Sequence, residues 1–220
     1  MKKILITIDG PAGAGKTTVS RMLADRLGIQ YVDTGALYRT VAYEAAQRQI
    51  RSDDDDALEK LCGDLNIQFI SGENGLRIAS NGIDISDYIR TPEITRAASA
   101  VSARPVVREF LLGLQRRMGK QRSTVFEGRD MGTVVFPDAD VKFFLCADSR
   151  LRAVRRYNEI KSNTVITLKE VERDICRRDR DDSNRKLAPL KPAQDAIVID
   201  STDLTVEQVV ERMASFIKPD

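Results

Sequence analysis

The stretch GPAGAGKTT, residues 10 to 18, has the residue types and spacing needed to bind phosphates. It follows the apolar run ILITID, and Gly10, Gly15, Lys16 and Thr17 match a phosphate-binding loop between a strand and a helix. Backbone N–H groups and the positive helix end would hold the phosphate oxygens. Lys16 would lie between the β- and γ-phosphates, and Thr17 would give its hydroxyl to Mg²⁺. The predicted triphosphate-binding residues are Gly10, Pro11, Ala12, Gly13, Ala14, Gly15, Lys16, Thr17 and Thr18.

The composition narrows the chemistry that such a site could perform. The 220 residues include no histidine, which excludes Ser/His/Asp and Cys/His mechanisms and most zinc sites. The three cysteines form no CxxC pair, as is typical of the reducing cytoplasm. The apolar run after Met1-Lys2-Lys3 is too short for a signal peptide, and no run is long enough to span a membrane. We therefore expect a cytoplasmic protein.

Charge is unevenly distributed along the chain. The formal net charge is only +2, but residues 150–191 hold 13 Lys and Arg against 7 Asp and Glu. A local basic segment in a near-neutral protein fits a compact anion such as a nucleotide better than a long polyanion. Aromatic residues make up 5% of the chain and tryptophan is absent, so stacking platforms for nucleic acid are not expected. We predict small-molecule partners, no nucleic-acid or membrane partner, and a monomer.

Three classes of triphosphate-binding protein are open at this point: a GTPase switch, a motor or nucleic-acid-dependent ATPase, and a small-molecule kinase. The chain lacks the Asn-Lys-x-Asp element with which a GTPase reads guanine. A nucleic-acid-dependent ATPase would usually be larger and carry a broad basic surface. A kinase for a phosphorylated acceptor needs anion-binding side chains beside the γ-phosphate, and two further stretches supply candidates.

The first of these stretches, DTGALYR at residues 33–39, ends an expected strand and opens a helix. Thr34 could bond a phosphate at the helix N-terminus, and Arg39 could grip the same anion with two donors. A plain helix cap and a surface arginine are an equally good interpretation. The second stretch, EGRDMGT at residues 127–133, follows the third expected strand, where α/β proteins bind ligands. Arg129 and Asp130 between glycines indicate a site, with a surface ion pair as the alternative.

The hydrophobic pattern predicts the elements that position these residues. Five apolar runs are typical of strands buried on both faces of a parallel sheet: Ile4–Ile8, Tyr31–Val32, Thr124–Phe126, Val141–Cys146 and Ala196–Ile199. Helical stripes lie between most of them, and these are Val19, Met22, Leu23 and Leu27; Leu37, Val41 and Ala45; and Val206, Val209, Val210, Met213 and Ile217. Thr205 and Gln208 form a capping box before the last stripe. We predict an α/β fold with a doubly wound, five-stranded parallel sheet.

Two stretches depart from this alternation. Residues 66–90 predict short antiparallel strands joined by Gly-Glu-Asn-Gly and Ser-Asn-Gly turns, followed by helical patterns around Glu93–Val101 and Val106–Met118. The run Asp53–Asp56 could be a metal cluster. A cap on the helix that starts near Ala57 is favoured, because carboxylates stabilise the positive end of a helix.

Four stretches, GPAGAGKTT, DTGALYR, GRDMGTVVFPDA and RDRDDSNRKLAPLKPA, stand in the order and spacing of the bacterial cytidylate kinase family, which the chain resembles nearly end to end. The third stretch is the most specific, whereas the phosphate-binding loop is shared with many unrelated proteins. The resemblance implies transfer of the γ-phosphate of ATP to CMP or dCMP with Mg²⁺. It also implies a P-loop kinase fold with an antiparallel insert and a short arginine-rich lid. Another nucleoside monophosphate or metabolite kinase, or a P-loop ATPase or switch, is the alternative.

The resemblance further implies a role for each matching residue. The CMP phosphate would bind Thr34, Arg39, Arg129 and Arg185. The cytosine would bind Ser99, Arg108 and Asp130, and the sugar would bind Arg178 and Asp182. The catalytic residues, which supply positive charge to the migrating phosphoryl group, would be Lys16, Arg129, Arg156, Arg178 and Arg185. The family commonly has Ser at the position of Thr34 and Asp at that of Glu127, so this chain keeps the hydroxyl and the carboxylate on side chains of different size.

The expected organisation is a single unit over residues 1–220. Its core comprises residues 1–35, 120–148 and 190–220, and residues 36–118 form the monophosphate-binding region with the insert at 66–90. Residues 149–189 form a lid that closes and excludes water. Its arginines are Arg152, Arg155, Arg156, Arg177, Arg178, Arg180 and Arg185. For about half of these arginines, a solvated helix face with salt bridges is the alternative interpretation.

Overall fold

The computed structural model describes residues 3–72, 75–161 and 166–217 of the chain. The chain divides into two compact units. The core unit comprises the chain up to Asp33 and from Met118 onward, and the insert unit runs from Thr34 to Arg117. No helix in the described ranges is both long and apolar enough to cross a membrane.

Strands and helices are numbered separately, each in chain order. The strands are β1 (Leu5–Asp9), β2 (Gln30–Asp33), β3 (Ile67–Gly72), β4 (Gly75–Ser80), β5 (Ile83–Asp84), β6 (Thr124–Gly128), β7 (Val141–Cys146) and β8 (Ile197–Asp200). The helices are α1 (Lys16–Leu27), α2 (Thr34–Gln47), α3 (Asp55–Asp64), α4 (Pro92–Val101), α5 (Pro105–Gln121), α6 (Ser149–Ile160), α7 (Leu168–Asn184) and α8 (Val206–Ala214). A short 3₁₀ turn covers Tyr88–Arg90, and a π-helical turn covers Met131–Val135.

The sheet of the core unit is parallel throughout, with the strand order β2-β6-β1-β7-β8. Such a sheet is covered on both faces, so its central strands are apolar on both sides rather than alternating. Ile6, Ile8, Val125 and Phe126 are accordingly inaccessible to solvent. Each of the five apolar runs that the sequence predicts as a strand is one of these strands, and the predicted α/β class is confirmed.

Helices α1 and α8 supply much of the apolar cover of this sheet. Val19 and Leu23 of α1 pack in one cluster with Val209 and Met213 of α8 and with Ile6 of β1. The predicted capping box is present at the start of α8. The side chain of Thr205 accepts from the backbone N–H of Gln208, and the side chain of Gln208 accepts from the backbone N–H of Thr205. The helical spacing of apolar residues in the sequence therefore identified the faces of α1 and α8 that are buried in the core.

The insert unit contains a separate antiparallel sheet in the order β3-β4-β5, as the sequence predicts. Asn81 and Gly82 turn the chain between β4 and β5 with positive φ angles of 48° and 83°, which suits these two residue types. Of the other predicted turn, Glu73 and Asn74 lie outside the described residues. A core of its own, built from α2, α3, α4, α5 and this sheet, holds the unit together.

The acidic side chains at the start of α3 have separate partners. Asp54 caps the helix by accepting from the backbone N–H of Ala57 at 3.0 Å. Asp53 pairs with Arg51, and Asp55 pairs with Arg104. Among the residues described, no group of acidic, cysteine or histidine side chains has the arrangement of a metal site. The helix-cap interpretation of this run is therefore confirmed.

Replacing the cap residue tests its contribution. We expect Asp54→Ala to lower the free energy of unfolding by about 1 kcal/mol, because the substitution leaves a helix N–H without its side-chain acceptor. Chemical denaturation measures the change. Glu59→Ala, an exposed substitution inside the same helix, is the matched control and should lie within about 0.5 kcal/mol of the original chain. A stabilisation by Ca²⁺ or Mg²⁺ that Asp54→Ala abolishes would contradict the capping role.

Candidate active site

The phosphate-binding loop leaves the carboxyl end of β1 and enters α1 at Lys16. Its first residue, Gly10, has φ 151°, and a Cβ there would lie 2.0 Å from the backbone oxygen of Leu145 in β7. No larger residue fits against the neighbouring strand at this point, so the glycine lets the loop turn over the sheet edge. Gly15 has φ 89° and forms the N-cap of α1. The predicted strand, loop and helix are therefore all present.

Lys16 carries a desolvated positive charge in this loop. Its side chain is buried, and its Nζ donates to the carbonyl of Pro11 at 2.7 Å. Burial, followed by the nearby positive charge of Arg129, lowers the pKa of Lys16 to about 7. A phosphate beside the ammonium group would favour its charged form and offset the cost of burial. Binding of an anion would therefore stabilise the buried charge of Lys16.

Thr17 and Glu127 form a pair of hard oxygen donors at the start of α1. The Thr17 hydroxyl donates to Oε1 of Glu127 at 2.8 Å, and Glu127 is buried. Burial and the nearby Asp33 carboxylate raise the pKa of Glu127 to about 7. A divalent cation would favour the ionised form of this carboxylate, and oxygen donors of these two kinds suit Mg²⁺. The residues present therefore fit the predicted metal.

Asp9, the last residue of β1, holds the turn that follows β6 against the end of β1. Its buried carboxylate accepts from the backbone N–H groups of Met131 at 2.9 Å and Gly132 at 2.8 Å. Burial raises its pKa to about 6, against the opposing effect of those two hydrogen bonds. The sequence motifs assign Asp9 no role. The signal that could have found it is a single carboxylate at the end of an otherwise apolar strand.

Four charged side chains from the GRDMG stretch and the end of α7 make a largely buried network. Arg129 Nε donates to Oδ2 of Asp182 at 3.0 Å. Arg185 lies 3.6 Å from Asp130 and 3.7 Å from Asp182. Asp130 is only 2% exposed, so the alternative of a surface pair between Arg129 and Asp130 does not describe this arrangement. The core unit therefore brings four of the predicted substrate-binding residues together, close enough for Arg129 and Asp182 to act electrostatically on Lys16.

Four of the remaining arginines of the predicted lid divide into two groups. Within the described residues, Arg156 pairs with Glu159 in α6 and Arg177 pairs with Asp174 in α7. These two pairs match the alternative of a solvated helix face. Arg152 and Arg155 instead donate to backbone carbonyls of the core unit. Arg178 is half-buried on α7.

The insert unit gathers its own predicted CMP-binding residues. Thr34 is buried at the start of α2, and Arg39 is half-buried one turn later. The Arg108 guanidinium lies over the ring of Tyr38, 5.9 Å from its centroid, and donates to the carbonyl of Ser102 at 3.2 Å. The hydroxyl of Ser102 in turn donates to the carbonyl of Ser99 at 2.8 Å. Ser99 and Arg108 are therefore linked through one intervening residue.

Comparison with known proteins agrees with this geometry. A family model described as Cytidylate kinase matches residues 6–219. A cytidylate kinase of Geobacter sulfurreducens is 50% identical and one of Citrifermentans bemidjiense is 49% identical, each match covering 98% of this chain and 93% of the relative. The solved shikimate kinase of Bacteroides thetaiotaomicron is 14% identical, covers 97% of both chains with a TM-score of 0.50, and shares the fold alone. The chain belongs to the cytidylate kinase family.

Proposed function

We propose that this protein transfers the γ-phosphate of ATP to CMP and dCMP, giving ADP and CDP or dCDP. The observation that carries the proposal is the position of buried Lys16 in the phosphate-binding loop, within electrostatic range of Arg129 and Asp182. The residues of the core unit that we assign to the donor and to the acceptor thus lie within electrostatic range of one another, which supports the proposal. The relatives that bear the name cytidylate kinase span nearly the same length, which supports the same assignment.

The reaction requires positioning and positive charge more than a base. A phosphate oxygen of CMP attacks the γ-phosphorus of ATP, the bond to the β–γ bridging oxygen breaks, and ADP leaves with that electron pair. The attacking phosphate is already largely ionised, so a chain without histidine can support this step. In-line alignment of the two nucleotides supplies much of the rate enhancement.

The loop residues hold the donor. Backbone N–H groups of residues 10–18 and the N-terminus of α1 bind the ATP phosphates, and Lys16 stabilises the charge that develops on the transferred group. Thr17 and Glu127 would hold Mg²⁺ through their oxygen atoms, and the ion would supply further neutralisation of the phosphate charge. Burial of the site keeps these interactions strong by excluding water.

The acceptor is held at three places: its phosphate, its sugar and its base. We propose that Thr34, Arg39, Arg129 and Arg185 bind the CMP phosphate and that Arg178 and Asp182 bind the sugar. The cytosine is read by Ser99, Arg108 and Asp130. Cytosine presents an amino donor where uracil presents a carbonyl acceptor, so a carboxylate such as Asp130 favours cytosine and repels uracil. Five side chains are proposed to supply positive charge to the migrating phosphoryl group: Lys16, Arg129, Arg156, Arg178 and Arg185.

A panel of monophosphates tests the assignment directly. With ATP and Mg²⁺, we expect CMP and dCMP to be phosphorylated with the highest specificity constants, because the site carries a carboxylate for the cytosine amino group. A coupled assay for ADP, with chromatographic identification of the nucleoside diphosphate, measures this for CMP, dCMP, UMP and AMP. ADP released without any nucleoside diphosphate, or released only with a polynucleotide, would indicate an ATPase instead.

Substitution of Asp130 tests base reading. We expect Asp130→Asn to reduce the preference for CMP over UMP by about 1–3 kcal/mol, because the amide no longer repels the uracil carbonyl. The ratio of kcat/KM for the two substrates gives the effect. Asp138→Asn, an exposed change further along the same stretch, is the matched control and should leave the ratio unaltered. An unchanged ratio in Asp130→Asn would remove this residue from base recognition.

Substitution of Arg39 tests phosphate binding. We expect Arg39→Lys to raise the KM for CMP while the KM for ATP stays the same, since a point charge replaces a two-pronged donor. Steady-state kinetics with each substrate varied in turn separates the two constants. Arg48→Lys, just after α2, removes a guanidinium that pairs with Glu44 and Asp64 and serves as the control. If only the KM for ATP moved, the placement of Arg39 at the acceptor would be wrong.

A further inference from the structure

Arg152 is a buried arginine whose side chain joins three segments of the core unit. It lies in the first turn of α6 and is 6% exposed. Its Nε donates to the carbonyl of Ala147 at 3.0 Å, and its Nη1 donates to the carbonyl of Ala12 at 2.9 Å. The same nitrogen donates to Oδ2 of Asp179 at 2.6 Å. A buried guanidinium needs such partners, and here they come from the end of β7, the phosphate-binding loop and α7.

The loop packs closely against this arginine. Gly13 has φ 73°, and a Cβ at this position would lie 2.9 Å from the backbone oxygen of Arg152 and 3.2 Å from its Cβ. At Gly13 the loop therefore has no room for a side chain on the side that faces α6. A shift of the loop when phosphates bind must be transmitted to Arg152, because close-packed groups move together.

The opposite end of the contact lies on the helix that carries acceptor-binding residues. Asp179 follows Arg178 directly and precedes Asp182 by one turn of α7. Asp182 in turn pairs with Arg129 and Arg185. The second carboxylate oxygen of Asp179, Oδ1, is buried without a hydrogen-bond partner in the described part of the chain. The position of this carboxylate thus depends strongly on its ion pair with Arg152.

We propose that Arg152 is a positioning residue that ties the phosphate-binding loop to α7 through Asp179, so that ATP on the loop and CMP on α7 strengthen each other's binding. The inference rests on the proposed function, because it takes ATP and CMP as the two ligands. Nε and Nη1 of Arg152 donate to two carbonyls and a carboxylate within the protein, so these two donors affect the ligands only through other groups. The coupling is reciprocal: each ligand increases the affinity of the other by the same factor.

Calorimetric titration of CMP with and without β,γ-imido-ATP and Mg²⁺ measures that factor. For the original chain we expect the analogue to tighten CMP binding by about 5-fold or more, the usual range of coupling between two sites. Asp179→Asn keeps the shape of the side chain and removes its charge, so the factor should fall toward one. The affinity for the analogue alone should change far less. Asp181→Asn, an exposed neighbour on α7, should keep the original factor.

Arg152→Lys gives a second version of the same test and replaces Asp179→Asn if that variant does not fold. It retains the charge but cannot serve three acceptors in the fixed geometry of a guanidinium, so the coupling factor should again fall. A variant that folds less stably yet keeps the factor would show a purely structural ion pair and overturn the proposal. A factor of one in the original chain would do the same. Failure of the original chain to phosphorylate CMP would instead contradict the proposed function.

Discussion

A buried ammonium group at the end of a parallel strand is the constraint around which the core unit is organised. Lys16 is removed from water, and desolvation alone would drive it toward the neutral form. Glu127, Asp9 and Asp182 counter this by holding negative charge within range of the ammonium group. Arg129 acts in the opposite direction. Phosphate oxygens beside this ammonium group would add negative charge and favour its charged form.

The parallel sheet explains how residues far apart in sequence reach this ammonium group. Asp9 is in register with Gly128, and Asp33 is in register with Glu127. Because the strands are parallel, their carboxyl ends meet at one edge, and the residues that follow each strand emerge there together. The two hydrogen bonds that Asp9 accepts then fix the turn after β6, which carries Arg129 and Asp130 into the same region. The polar site is thus a consequence of strand order and register.

These features also show what a sequence can and cannot predict. Strands buried on both faces leave continuous apolar runs, and the glycines of residues 10–15 mark a loop with few alternatives, so both were predictable. The roles of Asp9 and Arg152 could not be predicted. Asp9 binds Met131, 122 residues away, and Arg152 binds Ala12, 140 residues away, and no local pattern specifies such contacts. The burial of individual arginines in the lid was equally hard to predict. Arg152 and Arg156 lie one turn apart in α6, and the sequence does not show that Arg152 is the more buried of the two.

The shifted pKa values in the site indicate that bound ligands would stabilise the charged forms of its side chains. Burial brings the pKa values of Asp9, Lys16 and Glu127 to between about 6 and about 7, from ordinary values far apart. Burial therefore penalises the charged form of each of these three groups. A phosphate beside Lys16 and a cation beside Glu127 would each favour the charged form of its neighbour. Nucleotide binding would therefore favour the charges that phosphoryl transfer requires, among side chains that are already largely removed from water.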